Sequence, residues 1–271
     1  PLRAARSEWR RIRETLATPP GAGLAVLVSN RDSNLGSFVR AAGLPPVQVH
    51  VWNFTEISWD ETVDSLLPSG WRSHVRLRPN VWGGVHRADG QAMSGSGAII
   101  FAMRRLLLAR LNTLAARDAY HTVVMTRSDH LYACAHPPVH PAMHEVVVPS
   151  GSDWCGVTDR HTVFRFASRS AVLGVLPWLA AHDAEGAGMA NPEMVLKSFF
   201  ADTGIAVRRA PRVMFVVRGD NDTSRWSSWG RFPGCMPGLQ LKYQEEYWRA
   251  ALACAAQPCA HAQGKRTAEH W

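Results

Sequence analysis

Thr122-Val123-Val124-Met125-Thr126-Arg127-Ser128-Asp129-His130 is the stretch on which the fold turns. Its first four residues read as a short buried strand, and the polar residues that follow fall at the strand's carboxyl end. In open α/β sheets ligands bind outside that end, which singles out Asp129 with its neighbours Arg127, Ser128 and His130. A carboxylate delivered there suits a divalent cation held against a diphosphate, because a hard ion takes oxygen ligands and offsets phosphate charge. The structural alternative is an Asp that caps a turn.

Working outward, Ile100, Met103, Leu107, Leu111 and Leu114 are spaced by three and four, which predicts an amphipathic helix from Gly97 to about Arg117. Leu24 to Val28 and Val47 to Trp52 read as buried strands, with a helical turn or two over Asn34 to Ala42 between them. Residues 54–96 show no sustained period and read as loop. Leu2 to Leu16 reads as an amphipathic surface helix leading into Pro19-Pro20-Gly21. Downstream, Glu145 to Pro149 and Val213 to Val217 read as strands, and Ser168 to His182, Pro192 to Thr203 and Gln240 to Ala256 as helices. Asn191 is the expected N-cap of the second of these helices, with Pro192 at its first position. No repeat or long linker divides the chain, so one α/β domain is the economical reading.

The 271 residues, 46% hydrophobic, exclude a disordered chain or a tiny disulfide scaffold. The net charge is +8, and 27 of the 30 basic residues are Arg, which suits bidentate gripping of phosphates or carboxylates. The Arg residues are scattered rather than massed on one helix, which disfavours nucleic acid as the partner. Five Cys without a CxxC pair exclude a zinc ribbon and leave at least one thiol unpaired within the chain. The greasiest stretch, Ala98 to Leu108, is interrupted by Arg104 and Arg105, so it does not read as a membrane span. The start at Pro1 rather than Met suggests a trimmed chain whose leader or anchor lies outside it.

Two further clusters carry chemistry. Ser150-Gly151-Ser152-Asp153-Trp154-Cys155-Gly156-Val157-Thr158-Asp159-Arg160-His161 follows a strand and packs two carboxylates, an Arg and a His among small residues. Glu193, one residue inside a helix start, is favoured there by the helix dipole and is also a general-base candidate at a cleft rim. His136, His140 and His144 are spaced by four, but Pro137, Pro138 and Pro141 forbid the helix that would bring them together on zinc. Gly95-Ser96-Gly97 reads as a flexible helix start rather than a phosphate cradle. Trp226, Trp229 and Trp248 suit either sugar stacking or the core edge.

The ordered series Arg127-Ser128-Asp129, Gly156-Val157-Thr158-Asp159-Arg160-His161, Asn191-Pro192-Glu193 and Val216-Val217-Arg218 resembles the lipopolysaccharide-type nucleotide-sugar glycosyltransferases of the GT-A fold. Those proteins carry an R-[SP]-D motif in place of DxD, a later G-x-x-D-R segment and a Glu before a C-terminal helix. His161 departs from the pattern, standing where that family usually has an aromatic residue. The resemblance implies a GT-A-like, Rossmann-type mixed sheet flanked by helices. Residues 1–22 would be an N-terminal helix and linker, 23–220 the catalytic domain, and 221–271 a C-terminal loop and helix packing on it. It further implies a metal-dependent hexosyl- or pentosyltransferase using Mn2+ or Mg2+ and a UDP- or GDP-sugar, with a glycan or glycoconjugate hydroxyl as acceptor. Asp129 would be the metal-side carboxylate, with Asn30, Arg31, Arg127, Ser128 and Arg160 on the donor side. Glu193 would be the catalytic base, with Asp159 competing for that role. The alternatives are a non-catalytic carbohydrate- or nucleotide-binding relative and a basic nucleic-acid-binding protein. The compartment would be the Golgi lumen in a eukaryote and the cytoplasm in a bacterium or virus.

Overall fold

The computed structural model describes residues 24–29, 49–54, 58–114, 120–127, 129–182, 188–219, 232–233 and 239–255. The expected helices at Leu2–Leu16 and Asn34–Ala42, together with Asn30, Arg31, Ser128, Trp226 and Trp229, lie outside the described residues.

Strands β1 (Leu24–Ser29) and β2 (Val49–Phe54) pair in parallel from Leu24 opposite Val49 to Ser29 opposite Phe54. Helix α1 (Trp59–Leu66) lies inside the stretch expected to be loop. Ser58 caps it by accepting a hydrogen bond from the Glu61 backbone N–H at 3.1 Å, the start of an S-x-x-E capping signature. Only Val63 of its eight residues is buried, so no apolar period announces it.

Helix α2 (Gly97–Leu114) forms as expected, but its buried stripe is Phe101, Arg104, Leu108 and Leu111. Leu111 and Leu114 are buried as expected, but Ile100 and Leu107 are only partly buried, and in the first turns the buried positions are one residue on, with a charged side chain among them. Its N-terminus abuts backbone: a Cβ on Gly97 would fall 2.2 Å from the Val81 carbonyl oxygen, which makes this glycine a packing requirement. Gly97 N–H also donates to the Asn80 carbonyl at 3.0 Å.

β3 (Thr122–Met125), β4 (His130–Tyr132), β5 (Glu145–Pro149) and β6 (Thr162–Arg165) follow, then helices α3 (Arg169–Leu173) and α4 (Val175–Ala181). The single helix expected over Ser168 to His182 is thus broken at Gly174. α5 (Pro192–Asp202), β7 (Ala206–Ala210), β8 (Met214–Gly219), β9 (Phe232–Pro233), β10 (Leu239–Leu241) and α6 (Gln244–Ala253) complete the order.

One sheet runs β3-β6-β5-β7, with β5 and β7 parallel and the other pairs antiparallel. A second, antiparallel sheet runs β4-β8-β10-β9. The fold is therefore mixed α/β. Among the described residues β3 pairs with β6 alone, at the margin of its sheet, and Val124 is 40% exposed. A continuous apolar run does not reveal whether a strand lies at the centre or the margin of its sheet.

The main core packs Phe101, Leu108 and Leu111 of α2 with Val146, Val148 and Phe164 of the first sheet and Leu173, Leu176, Leu196 and Phe200 of α3, α4 and α5. A smaller core joins Leu131, Phe215 and Leu241 of the second sheet to Tyr247 and Ala250 of α6. Cys134, just beyond β4, is disulfide-bonded to Cys254 at the end of α6, closing a separation of 120 residues. Cys155 is free and exposed, and Cys235 and Cys259 lie outside the described residues.

Candidate active site

Three segments converge. Thr126, Arg127 and Asp129 lie between β3 of the first sheet and β4 of the second, the loop 150–161 joins β5 to β6, and Glu193 opens α5.

In the crossing, Arg127 grips Asp129 bidentately, Nε donating to Oδ1 at 2.8 Å and Nη2 to Oδ2 at 2.7 Å. Burial pushes the Asp129 carboxyl up, but the bonds and charge of Arg127 outweigh it and hold the group below its ordinary value. The Asp129 carbonyl accepts from the Val217 N–H at 2.9 Å, which fixes the crossing to β8. Asp159 also lies in the field of Arg127 and raises the arginine's affinity for its proton.

In the long loop, Arg104 of α2 donates through Nη2 to the Asp159 carbonyl at 3.0 Å. Its Nη1 is buried without a hydrogen-bond partner among the described residues, beside the Asp159 charge. Burial lowers the Arg104 pKa to about 10, and Asp159 opposes that fall. Arg104 was visible in the sequence only as an interruption of an apolar run; a charge at the centre of a helix's buried stripe was the signal to follow.

Arg160 does not project freely toward a ligand. Its Nη1 donates to Glu246 Oε1 of α6, its guanidinium lies 4.2 Å from the Tyr243 ring centroid, and its Nε is 3.9 Å from Asp159. Glu246 is fully buried, accepts from the Val216 N–H at 3.0 Å and pairs with Arg212 at 3.3 Å. Arg212 in turn donates to the Ser150 and Gly151 carbonyls at 2.9 and 2.7 Å. This buried network fastens the loop to α6 and β8, and the sequence reading did not contain it.

Glu193 is 8% exposed. The Asn191 side chain caps α5 by accepting from the Met194 N–H at 2.8 Å, and the Glu193 carbonyl accepts from the Val157 N–H at 2.8 Å. Gly156 presses so closely that a Cβ there would fall 2.0 Å from the Glu193 carbonyl. Burial first, and then the Asp159 charge, raises the Glu193 pKa to about 7. A carboxyl poised there exchanges a proton readily near neutrality.

Among the described residues, no seat for a Mn2+ or Mg2+ ion is assembled around Asp129. Both Asp129 oxygens accept from Arg127. Among the described residues no group of three or more His, Cys, Asp or Glu side chains could hold a metal ion. The region of His136, His140 and His144 is irregular, and His136 turns instead to His161, with their Nε2 atoms 3.0 Å apart.

His130 and His161 are buried behind the site. Burial depresses His130 to about 3 and His161 well below its ordinary value, with neighbouring Arg212 adding to both shifts. Their neutral forms are favoured by folding, so this stability is present above the unfolded pKa of about 6.5 and is lost as pH falls below it toward the folded values. Urea midpoints should therefore drop between pH 6.5 and 5. A His130→Asn variant should show a shallower drop than the parent; equal slopes would mean that His130 is protonated in the folded protein.

No family model, curated protein or solved structure matches this chain, so the chemistry of the site rests on its own geometry.

Proposed function

We propose that this chain is a GT-A-type glycosyltransferase that moves a hexose or pentose from a UDP- or GDP-sugar to a hydroxyl of a glycan or glycoconjugate. The observation that carries the reading is the convergence of Arg127–Asp129, Asp159–Arg160 and Glu193 from three separate segments, with the Glu193 pKa raised to about 7 by burial and Asp159. The mixed strand pairing and the crossing between sheets at Asp129 are compatible with that fold. The disulfide between Cys134 and Cys254 favours an oxidising compartment over the cytoplasm.

In this reading the donor diphosphate takes the place of Asp129 on the Arg127 fork, so the guanidinium meets the charge that develops on the leaving group. The acceptor oxygen bonds to the anomeric carbon as the bond from that carbon to the diphosphate oxygen breaks. The electron pair leaves on the diphosphate, and the acceptor proton passes to the Glu193 carboxylate if the transfer inverts configuration. Arg104 and Arg160 hold the Asp159 loop in register, and Asp159 keeps the Glu193 proton affinity high.

A panel of UDP- and GDP-sugars incubated with the chain should release UDP or GDP from at least one donor, and the release should persist after exhaustive chelation. Activity that appears only on adding Mn2+ would restore a metal at Asp129; no release from any donor, with or without Mn2+, would remove the enzyme reading. Arg127→Lys should lower donor cleavage about tenfold, because an ammonium cannot engage two oxygens at once. The non-catalytic alternative draws on the same closed Arg127–Asp129 pair, and it predicts nucleotide binding without cleavage.

A further inference from the structure

Trp154 occupies an unusual place. It is 54% exposed, whereas Trp71 and Trp82 are buried, and it makes no ring contact among the described residues. Its backbone has φ 46°, and Ser152 and Cys155 beside it have φ 56° and 67°. Three non-glycine residues in the left-handed region within four positions are strained, a bulky Trp most of all, and such strain persists only where the surroundings impose it.

Here they do. Asn191 Nδ2 donates to the Trp154 carbonyl at 3.0 Å, Arg209 donates to Asp153 Oδ1 at 2.6 Å, and the Gly156 N–H donates to the Asp153 carbonyl at 2.6 Å. Two of these anchors belong to the site: Asn191 caps the helix that carries Glu193, and Gly156 packs on the Glu193 backbone. The loop is thus rigidly tied to the proposed base, while its largest side chain contributes nothing to the core. Held this way, the Trp154 backbone is fixed beside the start of the Glu193 helix, and its side chain is more than half exposed.

We propose that Trp154 is the stacking platform of an acceptor subsite that takes the pyranose ring of a carbohydrate. A pyranose presents a face of C–H groups carrying partial positive charge to the negative face of the indole, and its hydroxyls donate to oxygens at the rim. Asp153, paired with Arg209 at 2.6 Å, and Asp159 both lie in the field of Glu193, so the loop and the helix start bring together carboxylate oxygens able to accept from the hydroxyls of such a ligand. The subsite rests on the transferase reading, because Glu193 supplies the reaction that the docked sugar enters.

The test is saturation-transfer NMR on the full chain with methyl β-D-galactopyranoside, methyl β-D-glucopyranoside, methyl α-D-mannopyranoside and methyl β-D-xylopyranoside. At least one should bind, with saturation concentrated on the ring protons of one face. Trp154→Ala should weaken that binding roughly three- to tenfold, the size of one aromatic contact, and Trp154→Tyr should largely retain it. Trp154→Asn should lose the binding yet raise Tm, since Asn tolerates the left-handed backbone. Three results overturn the proposal: no glycoside binds, Trp154→Ala binds as the parent does, or Trp154→Ala weakens UDP or GDP instead and so makes the indole a base-stacking residue. The two readings fail separately. Glycoside binding through Trp154 without turnover of any nucleotide sugar would sink the transferase and leave a sugar-binding site. Turnover with an acceptor KM unchanged in Trp154→Ala would sink the subsite alone.

Discussion

Glu193→Gln should keep nucleotide binding and fold while losing turnover by about 10² to 10⁴, the range for removal of a general base. The amide preserves the shape of a side chain that is 8% exposed, and the capping bond from Met194 to Asn191 does not involve it. The parent's turnover should rise with pH through about 7, because the base acts only when ionised and burial with Asp159 raises its pKa to that point. Asp159→Asn should move the midpoint down, since it removes the charge that helps hold the proton on Glu193. The competing role is electrostatic support of the helix start, worth about 0.3 to 1 kcal/mol. A stable Glu193→Gln protein with near-normal turnover would leave only that role and shift the base to Asp159 or to none.

Much of what could be read locally was read from the sequence, the Ser58-x-x-Glu61 cap of α1 being a local signal that was passed over. Hydrophobic runs located β1, β2, β5 and β8, and the Asn-Pro-Glu series located the start of α5, because strand runs and caps are properties of neighbouring residues. The other misses share a physical cause. β6 and β7 are four- and five-residue strands with Arg at exposed positions, and β4 is three residues long, so each acquires its identity from its partner and not from its own pattern. α2 was found, with its stripe right at Leu111 and Leu114 and one residue off in its first turns, since Arg104 was counted as a break in the run when it occupies the buried stripe.

The site shows the same division. Arg127, Asp129, Asp159 and Glu193 could be suspected from where they stand on strands, loops and a helix start. That Arg127 closes on Asp129 is a matter of side-chain geometry at two residues' spacing. Arg160, expected on the donor side, is held by a residue 86 positions away. A pairing at that range leaves no trace in local periodicity.

That distant residue yields the largest stability effect. Glu246→Ala should destabilise the protein by about 3 to 5 kcal/mol, because it leaves the buried Arg212 and Arg160 charges without their common counter-ion. The Val216 N–H would also lose its acceptor inside the second sheet. For a chain of this size the change corresponds to a fall in Tm of roughly 6 to 20 °C. The loss should not come mainly from packing, since the residue contributes few apolar atoms. Glu246→Gln separates the contributions: its amide oxygen can still accept from Val216, so its deficit beyond the parent measures the missing charge. Replacing the pair together, Glu246→Leu with Arg212→Met, should recover part of the deficit by removing one of the two stranded cations, although Arg160 stays unpaired from α6 and the Ser150 and Gly151 carbonyls lose their donor. A Glu246→Ala protein within about 1 kcal/mol of the parent, the range of an exposed pair, would mean that water reaches the network. In that case the Ser150–His161 loop would need another anchor to hold Asp159 beside Glu193.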